Sequence, residues 1–280
     1  MMDVATAIVA ELEKLEAARQ ATVLYAVESG SRAWGFASPD SDYDVRFIYA
    51  HTADHYLRLD PQPDVIEWML GSSDAAGGEI LDISGWDLPK FLRLLHASNP
   101  VIFEWVQSPI IYHVAPVWEE VREAIPSYFS KKKAVHHYLS MAKGQVKAYL
   151  GGETVRLKKY FYMLRPLLAA QWVLHNDSPP PILFADLVAA ELPTTVRPAV
   201  DQLMSLKMAA PELGTSAPIE SINNYIHHTL DDLQDRANAV PPGAPGDWEA
   251  LNTLFRRVVL ATGSQSTDPY PISQIKHISQ

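Results

Sequence analysis

The 280-residue chain contains no cysteine. This removes disulfide scaffolds, thiolate catalysis and cysteine-ligated zinc, and it is compatible with a reducing cytosol. Basic charge is also scarce, with 23 Lys and Arg against 33 Asp and Glu giving a net charge of −10. Such a chain is no general nucleic-acid coat and is not drawn to anionic membrane, so an anionic partner has to be bound locally. Nowhere do about 18 apolar residues follow one another unbroken, which argues against a transmembrane helix. The first 20 residues, MMDVATAIVAELEKLEAARQ, lack a basic start followed by an apolar run. They read as a surface helix, not a signal peptide, and the expected location is the cytoplasm. A Walker loop, a dinucleotide fingerprint and a Ser-His-acid order are missing as well.

What is present is enough apolar material, 48% of residues, to build a sizeable core over two domains. Residues 22–28 (TVLYAVE) form an apolar run ending at Ser29-Gly30, which predicts a buried strand and a tight turn. Further strands are expected at 43–50, 64–70 and 79–84, the last two separated by the hairpin-like GSSDAAGG. Asp87 is placed to cap a helix reaching about residue 97, and Asn99-Pro100 to start another. From about residue 116, helical spacing takes over through 116–129, 131–150, 154–176, 183–210 and 218–239. Pro166 should kink one of these helices, and the prolines at 179–181 and 241–246 read as rigid connectors. The last stretch, 263–280, has little periodicity and is expected to fray or lie over the surface. The expected fold class is α+β: a small mixed sheet with flanking helices over residues 1–126, the catalytic domain, followed by an α-helical bundle domain over 127–280.

The chemistry concentrates in residues 28–47, ESGSRAWGFASPDSDYDVRF. Asp42 and Asp44 lie two apart at the start of a strand and therefore project to one side, with Tyr43 and Val45 turned to the core. Two such carboxylates repel unless a cation sits with them, and their hard oxygens, with water and phosphate oxygens, suit magnesium. Opposite them, Gly30 lets the backbone approach a ligand, and the short helix suggested by Ser31, Arg32 and their neighbours aims amides at an anion. A metal-bridged triphosphate fits between the two. Arg32 is a phosphate contact on this reading. Arg46 shares the face of the aspartates, where it neutralises a carboxylate or touches phosphate, and Glu28 holds the turn or sits near the metals.

These residues resemble the nucleotidyltransferase superfamily that includes DNA polymerase beta, kanamycin nucleotidyltransferase and the minimal nucleotidyltransferases, whose signature is a Gly-Ser turn followed by Asp-x-Asp. More narrowly, ESGSRAWG, SDYDVRFIY, DISGWDL, SNPVIFEW and KKYFYMLRPLLAAQW resemble nucleotidyltransferases associated with RNA repair or RNA ligase, over most of residues 25–230. The resemblance implies a polymerase beta-like core, a nucleoside triphosphate donor, Mg2+ as cofactor and an RNA end as acceptor. It also implies a third carboxylate on a neighbouring strand, which completes the metal site with Asp42 and Asp44 and helps activate the attacking hydroxyl; it is either Asp82 or Asp87. Asp82 is preferred, because an acid inside the apolar EILDIS is expensive to bury without a charged partner, whereas Asp87 is explained as a cap. A small molecule remains open as acceptor. Two alternatives stand beside this reading: a nucleotide- or RNA-binding regulatory protein without catalysis, and a protein-modifying nucleotidyltransferase.

Residues 131–165 carry nine Lys or Arg and a single acid, Glu153, a net +8 against −18 for the rest of the chain. A solvated helix face accounts for such a block, but aromatic residues interleave with the charges, which favours anion contact. At helical spacing Lys158, Tyr162 and Arg165 share a stripe that Lys159 adjoins, with Phe161 left for the core. The stripe is assigned to triphosphate or acceptor phosphate, with Tyr162 stacking on a base. The pairs His136-His137 and His227-His228 are set aside as metal sites, since adjacent helical residues point about 100° apart.

Overall fold

The computed structural model describes residues 3–39, 41–70, 81–209, 214–244 and 246–263. The GSSDAAGG hairpin and the stretch beyond 263 lie outside the described residues. Among the described residues, strands β1 (Thr22–Glu28), β2 (Tyr43–Ala50), β3 (Val65–Leu70), β4 (Leu81–Asp87) and β5 (Ile111–Val114) form one sheet in the order β3-β4-β2-β1-β5. Only β2 and β4 run parallel, so the sheet is mixed. Helices α1 (Val4–Arg19), α2 (Gly30–Ala33), α3 (Ala53–Tyr56), α4 (Leu88–His96), α5 (Pro100–Trp105) and α6 (Trp118–Ala124) are threaded through this half. The α+β expectation holds. β5 is a strand that sequence pattern passes over, because four residues are too few to show alternation.

Period-two alternation sorts the sheet residues into two cores. Val45, Phe47 and Tyr49 of β2 pack with Ile8, Leu12 and Leu15 of α1, while Ile48 and Ala50 turn to the opposite face against Phe91, Leu92 and Leu95 of α4. Asp44 and Arg46 share the parity of Ile48 and Ala50 but lie at the start of the strand, where β2 is only partly buried. At about 1.5–3 kcal/mol for each large apolar side chain buried, these two clusters make the β2 register costly to slip.

The second half contains α7 (Lys131–Tyr149), α8 (Lys158–Asn176), α9 (Phe184–Glu191), α10 (Arg197–Ala209) and α11 (Glu220–Ala239). A short ladder joins β6 (Val155–Arg156) to β7 (Thr215–Ser216). Pro166 lies inside α8 without ending it, although its missing N–H leaves the Tyr162 carbonyl without an i+4 donor. The 183–210 periodicity is broken into two helices at Leu192, whose backbone is extended before Pro193. A 3₁₀ turn, Ile125–Tyr128, replaces the last part of the 116–129 pattern, with Pro126 inside it. Among the described residues, no helix is long and apolar enough to cross a membrane.

Among the described residues, three of the ties between the two halves bear on the site. Phe36, from the loop after α2, sits in the core of the bundle and stacks on Phe161 with ring centroids 4.9 Å apart. Helix α12 (Trp248–Gly263), which the sequence reading did not pick out, returns Leu251, Leu254, Val258 and Val259 to the core of the first half. Residues of α7, α8, α9, α10 and α11 thus share one buried cluster, while α12 belongs to a cluster with β1, β2 and α4. Third, Arg165 of α8 donates through Nη1 to Glu104 Oε1 of α5 at 3.0 Å, and the Tyr138 hydroxyl donates to the same oxygen at 3.0 Å. Arg165 is 2% exposed and its guanidinium lies 4.3 Å from the Trp34 ring centre. Removing one member strands a buried charge. Arg165→Met should therefore cost about 3–5 kcal/mol in denaturant melts, and adding Glu104→Leu should restore most of it.

Candidate active site

Parallel pairing of β2 with β4 sets Asp44 directly beside Asp82. Arg46 Nη2 reaches both, 3.2 Å from Asp44 Oδ1 and 2.8 Å from Asp82 Oδ2, and its Nη1 donates to the carbonyls of Val45 and Asp82. Both carboxylates keep about a third of their side-chain surface exposed, so the pair opens to solvent. Burial raises the Asp44 carboxyl above its ordinary range; Arg46 opposes that, and the charges of Asp82 and Asp42 add to it. Asp42 is exposed and immediately precedes β2. Three acids thus converge at the open end of the sheet.

Asp87 is elsewhere. It pairs with Tyr49, five residues along the ladder from Asp44, or ~16 Å. It occupies the cap position of α4 without a side-chain cap hydrogen bond; instead its Oδ1 accepts from the Tyr56 hydroxyl at 2.5 Å. The Tyr56 oxygen in turn accepts from the His51 amide.

The turn after β1 closes over Asp44. Ser29 N–H donates to the Asp44 carbonyl at 2.8 Å, and Gly30 adopts φ +60°. A Cβ at position 30 would stand 2.0 Å from Asp44 Oδ2, so glycine is required both by conformation and by space. Ser31 lies half-buried in α2, a single helical turn. Arg32 is held by the loop that leads to β2. Its Nη2 and Nε donate to the carbonyls of Ser41 (2.6 Å) and Asp42 (3.2 Å), and its guanidinium stacks 3.6 Å over the Tyr43 ring. It positions the approach to β2, because the short chain between turn and strand brings two inward carbonyls within its reach.

Glu28 is a residue whose weight the sequence understates. Fully buried at the end of β1, it accepts from the Asp44 amide at 2.8 Å and from the Tyr112 hydroxyl at 2.5 Å. Burial pushes its carboxyl up to about 7, against the lowering effect of those hydrogen bonds. An acid closing an otherwise apolar strand is the signal that points to it. Tyr112 belongs to β5 and is not foreseen.

The bundle supplies the facing wall. Tyr162 is 37% exposed, and burial first, then the charges of Asp44 and Asp42, raise its hydroxyl pKa. Its ring meets Trp34 edge-on at 6.1 Å, and Lys159 Nζ lies 5.1 Å from its centre. Lys158 is half-buried beside it, and Phe161 is in the core as expected. Arg165 does not continue the stripe as an exposed contact: by that point α8 has entered the core, and Glu104 takes the charge. Lys207 of α10 donates to Ser38 Oγ at 2.6 Å, bracing the loop that leads to Asp42.

The donors suit a hard divalent cation, being carboxylate oxygens with Asp44 Oδ2 directed at the open turn. Among the described residues no three His, Asp or Glu form a ready metal cage. Magnesium commonly takes one or two carboxylates and completes its shell with water and phosphate oxygens, and Asp42 with Asp44 fits that pattern.

A five-stranded mixed sheet with a glycine-serine turn facing paired aspartates, walled by a helical bundle, defines a polymerase beta-like nucleotidyltransferase arrangement. The model of the RNA repair pathway DNA polymerase beta family (RlaP) matches residues 4–257, and the chain belongs to that family. It is 38% identical over 257 residues to the Bacillus subtilis (strain 168) protein described as "Uncharacterized protein YcgL", covering 90% of this chain and 95% of that one. The crystal structure of a nucleotidyltransferase-like protein from Exiguobacterium sibiricum 255-15 aligns over 92% of this chain and 80% of its own, with a TM-score of 0.30 and 10% identity.

Two substitutions check this geometry. Gly30→Ala should displace Asp44 and cost at least about 1 kcal/mol in thermal melts, since both φ and the Cβ clash oppose it. At the far end, burial raises Asp87 in the folded state, so its contribution to stability is greatest below the ordinary aspartate range and declines as pH rises through the folded value. Asp87→Asn keeps an acceptor for Tyr56 and should flatten that decline in melts across pH 3–8, while Asp87→Ala should cost about 0.5–2 kcal/mol.

Proposed function

We propose that the protein is a magnesium-dependent nucleotidyltransferase that moves a nucleoside monophosphate from a nucleoside triphosphate to an acceptor hydroxyl or phosphate, here an RNA end. The observation that carries this is the register pairing of Asp44 with Asp82, with Asp42 just ahead of them, opposite a turn where only glycine fits. Membership of an RNA repair pathway family supports the acceptor class.

In this reading the attacking oxygen bonds to the α-phosphorus as the bond to the leaving oxygen breaks, and pyrophosphate departs in line. Asp42 and Asp44 hold the cation. Bound there, magnesium supplies charge to the triphosphate and to the leaving oxygen. Asp82 has one oxygen fixed by Arg46, which leaves Oδ1 to take the proton of the attacking hydroxyl. Arg46 bridges Asp44 and Asp82 and offsets their mutual repulsion. Gly30 and Ser31 bring backbone against the triphosphate, Arg32 fixes the carbonyls on either side of Asp42's approach, and Lys158 and Lys159 add positive charge from the facing wall.

Pyrophosphate release, measured with magnesium, each triphosphate and a pool of RNA ends, tests the proposal. Asp42→Asn with Asp44→Asn should abolish magnesium-dependent triphosphate binding in calorimetric titration while leaving the fold intact. Asp82→Asn should lower turnover by two or more orders of magnitude with little change in melting temperature. Unchanged triphosphate affinity in the double variant would sink the assignment.

A further inference from the structure

Tyr149 has no part in the site as described, yet it stands on the same cation as Tyr162. It is the last residue of α7, and its ring centre lies 4.2 Å from Lys159 Nζ, which is 5.1 Å from the ring centre of Tyr162. The order along the surface is therefore ring, ammonium, ring. Both rings are open to solvent, Tyr149 at 36% and Tyr162 at 37%. The inner end adjoins the turn after β1, because Tyr162 meets Trp34, the residue that ends α2, edge-on at 6.1 Å. The outer end leads away from it. Around this row the charge is positive: Lys158 lies one helical turn from Tyr162, and Arg156 is exposed nearby in sequence, with Glu153 the one acid in 131–165.

We propose that Tyr149, Lys159 and Tyr162 form a platform on which an unpaired strand of nucleic acid lies as it delivers its end to the acids. The alternation matches the ligand: a base on one ring, a phosphate on the ammonium, a base on the next ring. A single nucleotide covers Tyr162 and leaves Tyr149 unused, so the second ring points to an oligomeric strand. Stacking on a ring needs a free base face, which a duplex withholds, and it reads no sequence, since every base has such a face. Outside residues 131–165 the chain carries a net −18, which disfavours phosphate there. The inference rests on the transfer reading only for the direction of the strand's end; the binding surface stands apart from catalysis.

The test is fluorescence anisotropy of a labelled ten-nucleotide single-stranded RNA of mixed sequence, without magnesium or triphosphate. A blunt duplex of the same length serves as comparison. Tyr149→Ala should weaken single-strand binding about 5- to 100-fold, and Tyr149→Phe should restore it. Lys159→Ala should reduce the slope of log affinity against log salt by about 0.7. Magnesium-triphosphate affinity, measured by calorimetry, should be unchanged in Tyr149→Ala. Wild-type strand affinity in Tyr149→Ala, failure of Tyr149→Phe to restore binding, or equal affinity for the duplex would overturn the platform. Failure of pyrophosphate release with a responsive Tyr149 would instead overturn the transfer reading and leave the platform standing.

Discussion

Two aspartates held side by side by a parallel ladder repel one another, and the arrangement of this end of the molecule follows from how that repulsion is met. Neighbouring strands stand about 4.8 Å apart, so Asp44 and Asp82 cannot separate without breaking the β2–β4 register. Arg46 answers from the same strand face. It gives one nitrogen to both carboxylates and the other to two backbone carbonyls, which fixes the guanidinium in place. A lysine has one nitrogen and no planar fork, and cannot meet all four oxygens in this geometry. Glu28 and Ser29 complete the frame by tying the end of β1 to the backbone of Asp44 from the other side. The acids are thus positioned by backbone register and by arginine before any ligand is present.

The site also depends on the bundle being held in one position. Phe36 is anchored among Phe161 and Phe184, only a few residues past the Gly30 turn, so movement of α8 and α9 would be transmitted to that turn. Arg165 locks α8 to α5, and α12 packs under the sheet after the chain has left the bundle. A buried ion pair is seldom a net gain in stability, but it is intolerant of misplacement. Here that intolerance fixes α8, which carries Tyr162, against α5.

Much of this is legible in the sequence where local spacing decides the outcome. The apolar run into Ser29-Gly30, the Asp-x-Asp at the start of β2 and the Asn99-Pro100 start of α5 are all short-range signals, and Asn99 does accept from the Val101 amide at 3.0 Å. What is not legible depends on which distant residue arrives. Arg32 reads as a phosphate contact until Ser41 and Asp42 bring their carbonyls to it. Arg165 reads as part of an exposed stripe until Glu104, 61 residues earlier, takes its charge. Asp87 has the position of a cap, but Tyr56 supplies a better donor. β5 is too short, at four residues, to show a period, and α12 is a single helix between a proline-rich connector and an aperiodic tail.

The basic block shows why a count of charges is a poor map of a binding surface. Nine cations in 131–165 suggest one broad patch, yet the fold distributes them. Arg165 is sealed against Glu104, Lys131 lies 3.9 Å from Asp177, and Lys143 hydrogen-bonds to Gln234 of α11. Lys159 stands between the rings of Tyr149 and Tyr162, and Lys158 is half-buried one residue before it. An acidic protein whose site is itself acidic needs little more: a few cations near the reacting end outweigh many that lie beyond a Debye length of about 8 Å at physiological salt. On the proposed reading, selectivity for a phosphate-bearing ligand would come from where those few cations stand, and not from the net charge of the chain.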